Sequence, residues 1–180
     1  MHTDDSPWDV LLIGGASGLG KSRAAARLSA RHGAFVVEFD DVVAALQAAT
    51  TADGHPGLHH FDGLPDPDAL PADRVLELQI ATARALDDAL LGVVRNRLTV
   101  PVPAIVEGDY LTPAAAARAA AEAAGQGRRV RAVFLHEDDP ARIGANYAER
   151  EPDCGPQSGR AAVSARYSAW LAGQARAHAL

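Results

Sequence analysis

Residues 15–22 read Gly15-Ala16-Ser17-Gly18-Leu19-Gly20-Lys21-Ser22 and meet every fixed position of the phosphate-binding pattern G-x-x-x-x-G-K-[ST]. The flanks constrain the fold as strongly as the loop. Asp9-Val10-Leu11-Leu12-Ile13 is an apolar run of strand length, and residues 22–31 are rich in strong helix formers. Strand, glycine turn and helix together turn backbone amides and the positive end of a helix toward a phosphate chain. Glycines keep side chains out of that turn. In such a loop the Lys21 ammonium neutralises the β- and γ-phosphates of a nucleotide, and the Ser22 hydroxyl joins the shell of a magnesium ion.

Composition narrows the remaining choices. A chain of 180 residues has the size of one domain and can bury a proper core. Acidic residues outnumber basic ones 23 to 17, for a formal charge of −6, so the basic stripe of a non-specific nucleic-acid binder is not expected. Cys154 is the only cysteine, which leaves no internal disulfide framework and no cysteine cluster for zinc or iron–sulfur. Residues 1–7 lack the basic and apolar regions of a signal peptide, and charges interrupt the alanine-rich segments. The expectation is a cytoplasmic protein with no membrane span; self-association is left open.

The rest of the chain alternates strand and helix signals. Residues 34–39 read as a second strand ending in Asp40-Asp41, followed by a short helix over 42–49. Residues 50–73 are rich in proline and glycine and read as a long loop, a length that usually serves function inside a compact domain. Residues 74–97 carry the longest helical signal, and residues 101–106 give a third strand ending in Glu107-Gly108-Asp109. Thr112-Pro113 and Asp139-Pro140 both pair a cap residue with proline at the first helical position. They open helices to about residues 124 and 149, with a fourth strand over 130–135 between them and a last helix over 160–178. This order predicts an α/β fold with a mostly parallel sheet covered on both faces, a three-layer sandwich. Ligands in such sheets sit beyond the carboxyl ends of the strands. The glycine loop, Asp40-Asp41 and Glu107-Asp109 all fall at that end.

Each of these groups suits phosphoryl chemistry. Asp40 or Asp41 can orient or deprotonate an acceptor hydroxyl, although Asp41 also reads as a cap for the helix that follows. Glu107 can act on the magnesium shell, and Asp109 can contact substrate. Arg142 and Arg150 lie eight residues apart, and with Arg160 and Arg166 they form a group able to embrace a transferring phosphoryl. Asn146 and Tyr147 read as packing between them. His55, His59, His60 and Asp62 lack supporting helical spacing and are not read as a zinc site. Trp8, Phe35, Phe134 and Trp170 read as core or sheet-covering residues.

The glycine loop, with Phe39-Asp40-Asp41, Ile105-Val106-Glu107-Gly108-Asp109 and Phe134-Leu135-His136-Glu137, resembles small bacterial P-loop kinases and ATPases. The nearest are the AAA-like or zeta-toxin-like ATPases related to 2-phosphoglycerate kinase. The shikimate, gluconate, chloramphenicol and nucleoside monophosphate kinases are more distant. The resemblance covers essentially the whole chain as a single domain, with 42–73 as a substrate-side segment and 137–159 as a lid. It implies that residues 15–22 hold ATP and Mg²⁺. It also implies that Asp40 or Asp41 lies beside the acceptor hydroxyl, Glu107 near magnesium, and Arg142 or Arg150 in the lid. One departure stands out: such kinases have a fifth strand after the lid, and here the polar stretch 151–159 leads into a final helix. The expected activity is ATP-dependent transfer to the hydroxyl of a small metabolite, including anionic ones such as a phosphoglycerate or sugar acid. A nucleotide-dependent switch acting through a protein partner is the alternative.

Overall fold

The apolar runs assemble into one four-stranded sheet in a computed structural model that describes residues 6–62 and 70–180. Strands β1 (Val10–Gly14), β2 (Phe35–Glu38), β3 (Ala104–Gly108) and β4 (Val130–Phe134) lie in the order β2-β3-β1-β4, every pair parallel. All residues of β1 and β3 are buried, which is why they read as unbroken apolar runs rather than alternating ones. One face packs Val10, Leu12, Val106 and Val130 against helices α2 (Phe39–Ala49), α4 (Asp87–Leu98) and α5 (Pro113–Ala124). The other face packs Leu11, Ile13 and Ile105 against α1 (Lys21–His32), with Trp8 in the same cluster. The result is the three-layer α/β sandwich anticipated, with four strands among the described residues.

Helices α3 (Ala72–Ala85), α6 (Pro140–Arg150) and α7 (Ser158–Ala177) complete the set, with short 3₁₀ turns at Pro56–Leu58 and Pro152–Cys154. The two cap-plus-proline signatures act as read. Thr112 Oγ1 accepts from the Ala115 amide at 3.1 Å, and Asp139 Oδ1 accepts from the Ala141 amide at 2.8 Å.

Four local expectations need correction. The helix predicted over 74–97 is two helices, α3 and α4, broken at the buried Leu86 without any glycine or proline. The Asp87 carboxylate accepts from the Thr112 hydroxyl at 2.6 Å, tying the start of α4 to the cap of α5. Strand β3 begins at Ala104 because Pro101 and Pro103 carry no N–H for the ladder. Helix α2 begins at Phe39, so Asp40 and Asp41 lie in its first turn, where carboxylates favour the helix dipole, and Asp41 is not a cap. Phe35 is 56 % exposed and covers no sheet; the Arg97 guanidinium lies over its ring at 5.3 Å.

Residues 63–69 of the anticipated substrate-side segment lie outside the described residues. Before them, the buried His59 bonds to Asp62 through Nδ1 at 2.5 Å and to Thr50 through Nε2 at 2.9 Å. That histidine joins the end of α2 to the turn after it.

Candidate active site

The glycine loop is shaped by positions that only glycine takes easily. Gly15, Gly18 and Gly20 have φ of 145°, 82° and 84°, and a Cβ at Gly15 would stand 2.9 Å from the Leu135 carbonyl oxygen. Helix α1 starts on this loop with Gly20 as its cap residue, no side-chain cap and no acidic residue in its first turn. Helices α5 and α6 satisfy an amide of their first turns with Thr112 and Asp139; α1 leaves its own to the cleft that residues 17–23 line. Those donors fit a chain of phosphates.

Lys21 is buried beneath the loop. Its Nζ donates to the Ala16 carbonyl at 2.9 Å and to Asp109 Oδ1 at 2.5 Å. The next residue, Ser22, donates its hydroxyl to Glu107 Oε1 at 2.7 Å. Sheet register makes this pairing: Glu107 lies beside Ile13 and Gly108 beside Gly14, so the end of β3 runs level with the start of the loop. Ser22 and Glu107 are the residues that would hold a magnesium ion, whose positive charge would complement the transferring phosphates.

Asp40 reaches the same place from α2. Its Oδ1 accepts from the Asp109 amide at 3.3 Å, and a Cβ on Gly108 would stand 3.1 Å from that oxygen. Gly108 therefore lets the first turn of α2 approach the end of β3. Crowding has an electrostatic consequence. Desolvation, and then the Asp109 charge, push the Asp40 carboxyl up to about 6, although water still reaches it from the open cleft. Burial likewise raises Glu107, with the Ser22 hydrogen bond and Lys21 opposing. The Asp109 backbone is held in turn by the Tyr167 hydroxyl, which donates to its carbonyl at 3.0 Å.

Residues 17–23, Asp40, Glu107 and Asp109 line one cleft of about 570 Å³ together with Asn146, Glu149, Arg150 and Arg160. Both guanidinium groups lie over the buried Tyr147 ring, Arg150 at 5.4 Å and Arg160 at 4.3 Å. Glu151 binds both: Arg150 directly, and Arg160 Nη1 at 2.8 Å. The Arg150 and Gln157 hydrogen bonds hold the Glu151 carboxyl down at about 2. Arg160 also reaches Ser17 Oγ at 3.4 Å, and Asn146 donates to the Gly18 carbonyl at 2.8 Å.

Several anticipated site residues lie elsewhere. Arg142 is 74 % exposed and paired with Glu137 at 3.3 Å and Asp139 at 3.8 Å, outside the cleft. Eight residues advance a helix by about 800°, roughly 80° past two turns, so Arg142 and Arg150 diverge. Arg166 is paired with Asp73. Asp41 is exposed and does not line the cleft. Sequence reasoning missed Glu151 and Tyr167. Tyr167 meets Asp109 on another element, and although Glu151 adjoins Arg150 in sequence, its partners Gln157 and Arg160 lie across the turn.

No helix among the described residues is long and apolar enough to cross a membrane. Comparison with known proteins adds one assignment. No curated protein matches the chain. A family model described as an AAA domain matches residues 10–175, and the chain belongs to that family of P-loop NTPases, whose members bind a nucleotide and either hydrolyse it or transfer its phosphoryl group.

Proposed function

We propose that this protein is an ATP-dependent kinase that phosphorylates a hydroxyl group of a small molecule. One observation carries the reading: Lys21, Ser22, Asp40, Glu107, Asp109, Arg150 and Arg160 converge on a single cleft from five separate stretches of chain. Simple nucleotide binding asks only for the loop, Lys21 and the Ser22–Glu107 pair. Asp40 is surplus to that task and suits an acceptor. With its carboxyl near pH 6 it is ionised at neutral pH yet basic enough to take a proton.

In the proposed reaction the acceptor oxygen forms a bond to the terminal phosphorus as the bond to the nucleoside diphosphate breaks. The hydroxyl proton passes to Asp40. Charge spreading over the transferring oxygens meets Lys21, Arg150 and Arg160. ATP with Mg²⁺ supplies the phosphoryl group.

The test is an ADP-release screen of the full chain against hydroxy acids, diols, sugars, nucleosides and aminoglycosides, with product mass confirmed. Transfer that requires both Lys21 and Asp40 establishes the kinase. Tight nucleotide binding without transfer to any acceptor replaces it with the nucleotide-dependent switch.

A further inference from the structure

A second cavity of about 260 Å³ opens beside the phosphate cleft, and Ser17, Asp109 and Arg160 line both. Its other walls come from α3, with Val75 and Gln79, from α7, with Val163 and Ser164, and from Tyr110. Lys21, Asp40 and Glu107 line only the phosphate cleft. A molecule in the second cavity therefore reaches the phosphate cleft at a junction that, among the described residues, is made by Ser17, Asp109 and Arg160, of which Asp109 is the one carboxylate.

Charge decides what fits. Among the described residues lining this cavity, Arg160 is the only basic side chain, and it already donates to Glu151 at 2.8 Å and Gln157 at 2.7 Å. The only acidic one is Asp109, bound to Lys21. In the working complex Arg160 faces the transferring phosphates, so an anionic ligand here would have no cation of its own and would stand beside a carboxylate. A neutral ligand with an apolar face meets Val75, Val163 and the Tyr110 ring, and can spend its polar groups on Gln79 and Asp109. The volume lies just under the range of about 300–1,000 Å³ typical of drug-sized ligands, which limits the occupant to one ring or a short chain.

We infer that this second cavity takes the phosphoryl acceptor and selects a neutral alcohol with a compact apolar body, its hydroxyl presented to Asp109 at the junction. The inference rests on the kinase reading for the fate of that hydroxyl. It narrows the small hydroxylated metabolite expected from the sequence to its neutral members. The Asp109 carboxylate orients the acceptor, and Asp40, whose Oδ1 accepts from the Asp109 backbone amide, receives the proton.

Matched probes test it by direct titration of the full chain with Mg²⁺ and a non-hydrolysable ATP analogue. The pairs are 1-phenyl-1,2-ethanediol against mandelate, and cyclohexylmethanol against cyclohexanecarboxylate; each pair shares a body and differs by a carboxylate. The neutral members are expected to bind at least about tenfold more tightly, a difference of roughly 1.4 kcal/mol. Val163→Phe, which fills the cavity without touching the phosphate cleft, is expected to weaken the neutral probes by a similar factor and leave nucleotide affinity within about twofold. Val75→Leu gives a milder filling if the first variant loses its circular dichroism signature. Equal or tighter binding of the carboxylates overturns the inference, as does absence of binding by either neutral probe. Indifference of the neutral probes to the folded filling variants does the same. ADP release separates this result from the kinase reading. Neutral probes that bind in the cavity of a chain that transfers to no acceptor in the screen refute the kinase and keep the ligand class; transfer to anionic acceptors alone does the reverse.

Discussion

The floor of the phosphate cleft and its arginine wall hold their charges by different means. On the floor, Lys21 and Glu107 are buried, and each hydrogen bond runs between groups whose backbones are fixed by sheet register or by the start of a helix. On the wall, Arg150 and Arg160 are 50 % and 42 % exposed, and Glu151 is the acidic partner of both. A ligand cannot rearrange the floor without disturbing β1 and β3. It can displace Glu151 from the wall by offering the arginines a phosphate instead, because exposed ion pairs contribute little to stability. Recognition is therefore expected from the floor, and adjustment to the ligand from the wall.

The sharpest way to break it is Lys21→Ala. Losing a buried cation aimed at developing charge should cost at least about 10³ in turnover and abolish measurable Mg-nucleotide binding by calorimetry. Retained binding in the folded variant would show that the floor is not the recognition element.

Asp40→Asn comes next, with turnover falling by about 10² while nucleotide affinity stays within about twofold. The pH dependence carries its own sign. Asp109 and Glu107 face Asp40 and disfavour its charge, and Lys21 favours it. The folded-state value near 6 exceeds the ordinary 3.8, so the ionised form is destabilising, absent below about pH 4 and complete above about pH 6. Wild-type turnover should therefore rise through pH 6 to a plateau. The Asn variant should lack that limb, and should melt higher than wild type at pH 7.5 but not at pH 4. The gain at pH 7.5 should be roughly 1 kcal/mol, small because water reaches the group, or about 2–4 °C.

A smaller effect is expected from Glu107→Gln. It leaves a partner for the Ser22 hydroxyl but removes the charge, so Mg²⁺ dependence should weaken by about tenfold with metal-free nucleotide binding little changed. Equal loss of both would place Glu107 in the fold rather than the site.

The smallest prediction concerns the wall alone. Glu151→Gln releases Arg150 and Arg160, and nucleotide affinity should rise about threefold, an effect that fades as salt is raised. A fall in affinity would mean that Glu151 positions the arginines rather than restraining them.

The features that could be read from the chain are those fixed within a few residues. The left-handed glycines at 15, 18 and 20, the apolar strand before them, and the caps at Thr112 and Asp139 depend only on backbone sterics and on hydrogen bonds spanning two or three positions. Those signals determined the phosphate loop, the strand–helix alternation and the α/β class. Tertiary structure decided what depends on helix phase and on contacts across the chain. Where α4 starts, Asp87 is tied to the cap of α5 through Thr112, 25 residues on. Asp40 rather than Asp41 enters the cleft because one turn of α2 packs against Gly108 and lets its carboxylate meet Asp109, 69 residues on. Arg150 and Arg160 rather than Arg142 face the loop because α6 rotates Arg142 away and the turn at Pro152–Cys154 brings α7 back beside it. A residue's identity sets what it can do locally, but its direction is fixed only when another element packs against it.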